Sequence, residues 1–115
     1  MDVMDKEKRR QELLAEAKKL AKKIAEEYKP EKIILFGSAA TGDIREYSDV
    51  DLLVVKETAE DPIKRDQKVL RLLNPIRSPI PLDVLVFTPK ELDFRSKGGD
   101  PFVLDMLEEG EVLYG

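Results

Sequence analysis

Cysteine, histidine and tryptophan are all missing from this chain of 115 residues. Without cysteine there is no disulfide, no thiolate nucleophile and no thiolate metal ligand. Without histidine the usual general base near neutral pH is gone, and with both absent so are the usual zinc sites. Any chemistry must come from carboxylates, hydroxyls, lysines, arginines and cations that prefer oxygen ligands. An excess of one charge is missing too: 20 basic and 24 acidic residues leave only −4. Sequence-independent nucleic-acid binding draws on surplus Lys and Arg, so this balance argues against a stable nucleic-acid complex. No apolar run reaches membrane-spanning length, and the opening MDVMDKEKRR lacks the apolar core of a signal peptide. These absences predict a cytoplasmic protein with no membrane association.

What is present is a near-ordinary hydrophobic content of 42% under an unusually charged surface, 38% Asp, Glu, Lys and Arg. The length suits one domain over 1–115, an N-terminal helix at about 5–28 followed by a core at about 31–115. Leu13, Ala17, Leu20, Ile24 and Tyr28 recur at spacings of three and four, one apolar stripe of a helix that Lys29-Pro30 should end. KIILF at 32–36 reads as a strand stopped by Gly37, with a brief helix over 39–41 closed by Gly42. Asp49 to Lys56 reads as a second strand, apolar on both faces after its first residues. Asp61-Pro62 signals a helix with Ile63, Leu70 and Leu73 inside, followed by a proline-stiffened loop over 75–81. Leu82 to Phe87 reads as a third strand, Thr88 to Glu91 as a capping box and Asp100-Pro101 as the start of the last helix. Gly110 closes that helix, and Val112 to Tyr114 add a short strand. The fold class this predicts is α+β, a sheet covered by helices.

The chemistry concentrates in ILFGSAATGDIREYSDVD, residues 34–51. Side chains alternate along a strand, so Asp49 and Asp51 share a face, about 7 Å apart by the usual rise. Two like charges so placed call for a cation, and Mg²⁺ characteristically takes one or two carboxylates plus substrate phosphates. Asp83 opens another apolar strand; if the two strands are neighbours, three acids gather at one end of the sheet, enough for two divalent ions in phosphoryl or nucleotidyl transfer. Gly37-Ser38, after a strand and before a short helix, makes a turn where backbone amides and a hydroxyl can meet a phosphate. The bland alternatives are acids facing water at strand starts and a plain capping turn. Gly37 and Gly42 match the glycine spacing of a P-loop, but Asp43-Ile44 replace its Lys-Ser/Thr, so that reading fails.

Gly-Ser, ten intervening residues, Asp-x-Asp entering an apolar strand and a later Asp resemble the nucleotidyltransferase superfamily that includes DNA polymerase beta. LFGSAATGDIREYSDVDLLVV and the ending EEGEVLYG are most similar to its minimal nucleotidyltransferases, small proteins often paired as antitoxins with helical HEPN-domain toxins. The resemblance runs from about Lys32 to Tyr114. It implies a polymerase beta palm-like mixed sheet covered by helices, with ATP as substrate and Mg²⁺, as two ions, as cofactor. It implies further that Gly37 and Ser38 hold phosphates, that Asp49, Asp51 and Asp83 hold the metal, and that Asp83 assists deprotonation of the attacking hydroxyl. The expected reaction passes AMP to a hydroxyl of a partner protein, a HEPN-domain toxin. The alternative is a catalytically silent antitoxin that neutralises its partner by binding alone; transfer to a small molecule or an RNA end is a third reading, and homo-oligomers stay open.

One departure stands out. The family commonly has GSRARG at the turn, whereas Ala39 and Thr41 occupy the arginine places here. The phosphate charge then falls on metal and on other basic residues, for which Arg45, Lys64 and Arg65 are candidates.

Overall fold

Asp2 sets where the chain becomes helical, because its carboxylate accepts a hydrogen bond from the Asp5 amide at 2.9 Å. In the computed structural model, which describes residues 1–115, helix α1 therefore runs Val3–Glu27 and starts earlier than the apolar stripe alone predicts. Its stripe is as expected: Leu13, Ala17, Leu20, Ile24 and Tyr28 are all buried. Lys29 turns into the left-handed region (φ 53°), and Pro30 follows.

Four strands form one sheet in the order β3-β2-β1-β4: β1 Lys32–Phe36, β2 Val50–Val55, β3 Leu82–Phe87 and β4 Glu111–Tyr114. β1 is antiparallel to both β2 and β4, while β2 and β3 are parallel. A parallel pair needs a crossover, and α3 (Pro62–Leu73) supplies it. The short α2 (Ser38–Thr41), α4 (Pro89–Lys97) and α5 (Pro101–Glu109) complete five helices around a mixed sheet. This is the α+β arrangement the alternation of helix and strand signals predicts.

Alternation along the strands divides the core in two. Ile33, Leu35, Leu52, Val54, Val84 and Val86 pack with α1 and α3 in the larger cluster. Ile34, Phe36 and Leu53 point to the other face, where only Val103 and Met106 of α5 join them as buried partners. Asp51 and Asp83 have the same parity as Leu53 and Leu85, so they belong to this second, thinly covered face. Gly110 is fixed by close approach: a Cβ there would run into the Met106 carbonyl and come within 2.6 Å of Ile34 Cγ2.

Two expectations need correction. β2 begins at Val50, so Asp49 lies in the loop before the strand. The buried line of α3 is Arg65, Val69 and Leu73, an i, i+4, i+8 row. That row turns Ile63 outward, 71% exposed. α5 buries Val103 and Met106 alone, leaving Phe102, Leu104 and Leu107 exposed. The predicted capping box is present at both ends, Glu91 N–H donating to Thr88 Oγ1 and Thr88 N–H to Glu91 Oε1.

Two charged side chains hold the β3 side in ways no local pattern announces. Glu16 on α1 is buried, accepts the Ser78 amide at 2.7 Å and pairs with Lys19 at 2.7 Å. This ties the 75–81 loop to the first helix. Burial by itself would raise its pKa, but the bonds from Lys19 and Ser78 outweigh it and hold the carboxyl below its usual range. Asp66 accepts the outward Val86 amide at 3.1 Å, covering part of an otherwise open strand edge.

Candidate active site

β1 and β2 are antiparallel, so the end of one lies beside the start of the other. The register sets Phe36 opposite Asp51, and across β2 sets Asp51 opposite Asp83. Gly37 follows Phe36 immediately, which brings the glycine turn to the aspartates. Its backbone, φ 72° and ψ −158°, is one that residues with a side chain avoid. The space is closed as well: a Cβ on Gly37 would strike Oδ2 of Asp51 and sit 3.1 Å from its Cγ. The glycine turn and the Asp-x-Asp segment, twelve positions apart from Gly37 to Asp49, are thus adjoining walls of one site. Ser38 opens α2, which Gly42 closes in the left-handed conformation.

Asp49 is held from behind. Ser48 is buried and its Oγ accepts the Arg45 amide at 2.7 Å, while its own amide donates to the Arg45 carbonyl at 3.1 Å. Arg9, far away on α1, donates to the Ser48 carbonyl at 3.3 Å. Val50 N–H then bonds the Pro81 carbonyl at 3.0 Å, fastening the entry of β2 to the entry of β3. Arg9 and Ser48 are not legible as contributors, because the bond that joins them spans 39 residues and neither belongs to a motif.

The electrostatics are lopsided. Burial is the largest influence on the Asp51 carboxyl, followed by a hydrogen bond shared with Asp49 and by repulsion from Asp49 and Asp83; together they push its pKa up to about 7. None of the ion pairs in the molecule involves Asp49, Asp51 or Asp83. A partly buried, uncompensated pair of carboxyls either shares a proton or takes a cation, and oxygen donors of this kind suit Mg²⁺. The pair fits such an ion. No three acidic side chains converge closely enough to form a ready cage, so Asp83 stands beside the pair as its exposed neighbour on β3.

The basic residues considered for phosphate do not gather here. Arg65 is buried near the far end of β3, donating to Glu91 at 2.6 Å and to the Glu60 carbonyl at 2.7 Å. Lys64 is its neighbour on α3, and Arg45 is turned to Asp43 at 3.3 Å on the surface.

With this geometry in place, similarity to known proteins is informative. Residues 17–102 match the profile of the nucleotidyltransferase domain family. The chain belongs to that family. A Methanocaldococcus jannaschii protein named a "putative protein adenylyltransferase" is 36% identical over 83 residues, 72% of this chain and 77% of the relative. The crystal structure of a "putative nucleotidyltransferase" from Sulfolobus solfataricus superposes with a TM-score of 0.65 over 93% of this chain and 84% of its own. At 23% identity that likeness speaks to the fold. No helix is long and apolar enough to cross a membrane.

Proposed function

We propose that this nucleotidyltransferase moves AMP from ATP to a hydroxyl on a partner protein. The observation that carries the reading is the Gly37–Asp51 contact: a turn suited to phosphate lies directly against a carboxyl suited to a divalent cation. The relative named a protein adenylyltransferase supports the choice of nucleotide and acceptor class. The resemblance to minimal nucleotidyltransferases supports a HEPN-domain toxin as the partner and an antitoxin role for this chain.

In this reading the turn at Gly37 and Ser38 holds the phosphates, the backbone approaching closely because no side chain intervenes. Asp49 and Asp51 hold the cation, with Asp83 alongside. When bound, Mg²⁺ supplies neutralisation of the phosphate charge and of the departing pyrophosphate. Such a cation would hold Asp51, whose carboxyl is otherwise raised to about 7, in its charged form. In this reading Asp83, the exposed acid, takes the proton of the incoming hydroxyl. The hydroxyl oxygen bonds to the α-phosphorus as the bond to pyrophosphate breaks. Such a reaction needs positioning and charge stabilisation more than a histidine, and the chain has none. Ala39 and Thr41 leave the turn without arginines, so phosphate binding depends more heavily on the cation than in relatives with GSRARG.

The test is incubation of the protein with α-labelled ATP, Mg²⁺ and the product of the neighbouring gene. Label should appear on that partner and disappear with Asp49→Ala or Asp51→Ala. Neutralisation without label, unchanged by both substitutions, would favour inhibition by binding alone.

A further inference from the structure

The sequence divides its charge unevenly. All 20 basic residues lie before residue 98, whereas five acids, Asp100, Asp105, Glu108, Glu109 and Glu111, lie after it. The C-terminal segment that forms α5 and β4 therefore carries −5, and the rest of the chain is close to neutral. α5 breaks a local rule in the process. Its last turn holds Glu108 and Glu109 and no basic residue, at the helix end where the dipole favours cations. Of the five acids only Asp100 has an ion-pair partner, Arg95 at 3.6 Å.

The same helix borders the site described above. Between α2 and α5 a cleft of about 150 Å³ opens from Gly37 and Thr41, walled on the other side by Phe102, Asp105 and Glu109. Phe102 meets Phe36 edge to face at 5.9 Å and leaves half its surface, 51%, exposed toward solvent. A space of that size takes a benzene-sized group and is too small for a nucleoside. Two carboxylates also make it hostile to phosphate. What suits it is a single cationic side chain, paired with the acids and lying against an aromatic ring.

We propose that this face of α5 docks a basic segment of the protein that carries the acceptor hydroxyl, an arginine or lysine side chain entering the cleft beside Gly37. The proposal rests on protein adenylylation as the function, and it adds the charge of the partner and the surface that reads it. The nucleotide then occupies the aspartate side of Gly37 and the acceptor segment approaches from the α5 side. Phe102 anchors the contact while Asp105 and Glu109 select for positive charge.

The experiment uses two fluorescent tyrosine peptides of equal length, one with arginines flanking the tyrosine and one with glutamates. Binding to the whole protein is followed by anisotropy without nucleotide, and AMP transfer with labelled ATP and Mg²⁺. The arginine peptide should bind at least about tenfold more tightly at low salt, the scale of one charge-assisted contact. The preference should shrink as salt rises and vanish in the double variant Asp105→Asn/Glu109→Gln. Both positions are solvent-facing, and an unchanged melting curve verifies that the variant folds. Equal binding of the two peptides, or a preference that survives the double variant, overturns the proposal. Equal AMP transfer to both peptides overturns it while leaving the transferase reading intact. Charge-selective binding that the variant abolishes, with no transfer to either peptide, upholds the docking face and counts against tyrosine as acceptor. A dimer of the protein alone that the double variant dissolves would assign the cleft to a second copy and overturn the proposal.

Discussion

The two ends of the sheet treat charge in opposite ways. At the end where β3 finishes, Arg65 is buried and paired: with Glu91 at 2.6 Å, with the Glu60 carbonyl and with the Val86 carbonyl. The hydrogen bond from Arg65 holds Glu91 below the usual carboxylate range. At the end where β2 and β3 begin, no Lys or Arg pairs with Asp49, Asp51 or Asp83, and Asp51 is driven up to about 7. A large cavity of about 1180 Å³ opens at the first end, and none of Asp49, Asp51 and Asp83 lines it. Cavity size and unpaired charge therefore point to opposite ends of the sheet. Answered charge serves the scaffold, and unanswered charge is what the proposed function uses.

The most severe way to break this contrast is to remove the unanswered charge. Asp51→Ala should lower AMP transfer by about 10³-fold or more, the several kcal/mol expected of a lost metal ligand, while the protein still folds. Steady-state transfer to the partner with labelled ATP measures it. Gly37→Ala should come next. The new Cβ would enter the Asp51 carboxyl in a backbone region that costs alanine about 1–3 kcal/mol. ATP binding by calorimetry should weaken at least tenfold, with a lowered Tm.

At the answered end the effect should be on stability alone. Arg65→Ala removes the donor of two carbonyls and the partner of the half-exposed Glu91, a loss of about 1–3 kcal/mol. A denaturant titration reads that loss, and activity per folded molecule should stay within about twofold. A smaller effect sharpens the contrast through pH. Asp51 keeps its proton in the folded state up to about pH 7 but loses it near pH 4 when unfolded. Between those values the folded state binds more protons, so stability falls as pH rises and levels off above 7. Metal-free protein should thus melt lower at pH 7 than at pH 5, all else compensated. Asp51→Asn should flatten that dependence and raise the melting temperature at pH 7 by several degrees, about 1–3 kcal/mol.

Much of this was legible in the sequence where one residue type answers one local question. Prolines and capping residues located α3, α4 and α5, and the apolar stripe located α1. The spacing of Gly37-Ser38 and Asp49-x-Asp51 singles out those residues and strand context alone singles out Asp83, and the fold places Gly37, Asp51 and Asp83 on adjacent strands or strand ends. The strand boundary at Asp49 was missed by one residue, because extended loop and strand look alike without the ladder. Ile63 was misjudged since an apolar residue in the first turn of a helix has no fixed side until its partner is known. Arg9, Glu16, Ser48 and Asp66 were silent because their roles are long-range: each bonds backbone or side chains of another element, and sequence distance carries no trace of that. The arginine replacement at Ala39 and Thr41 was visible, but the candidates to stand in for it, Arg45, Lys64 and Arg65, were not. The fold uses Arg65 at the opposite end of the sheet and pairs Arg45 with Asp43.

The central claim is that the glycine turn and the aspartates are one site for phosphate and cation, and the proton on Asp51 reports it. Carbon-13 NMR of the Asp51 side-chain carboxyl, titrated in metal-free protein and again with Mg²⁺ and a non-hydrolysable ATP analogue, is the direct measurement. The account predicts a midpoint near pH 7 without ligands, falling by at least about one pH unit once they bind. A midpoint near 4 in the free protein, or one that ligands leave unmoved, would contradict it.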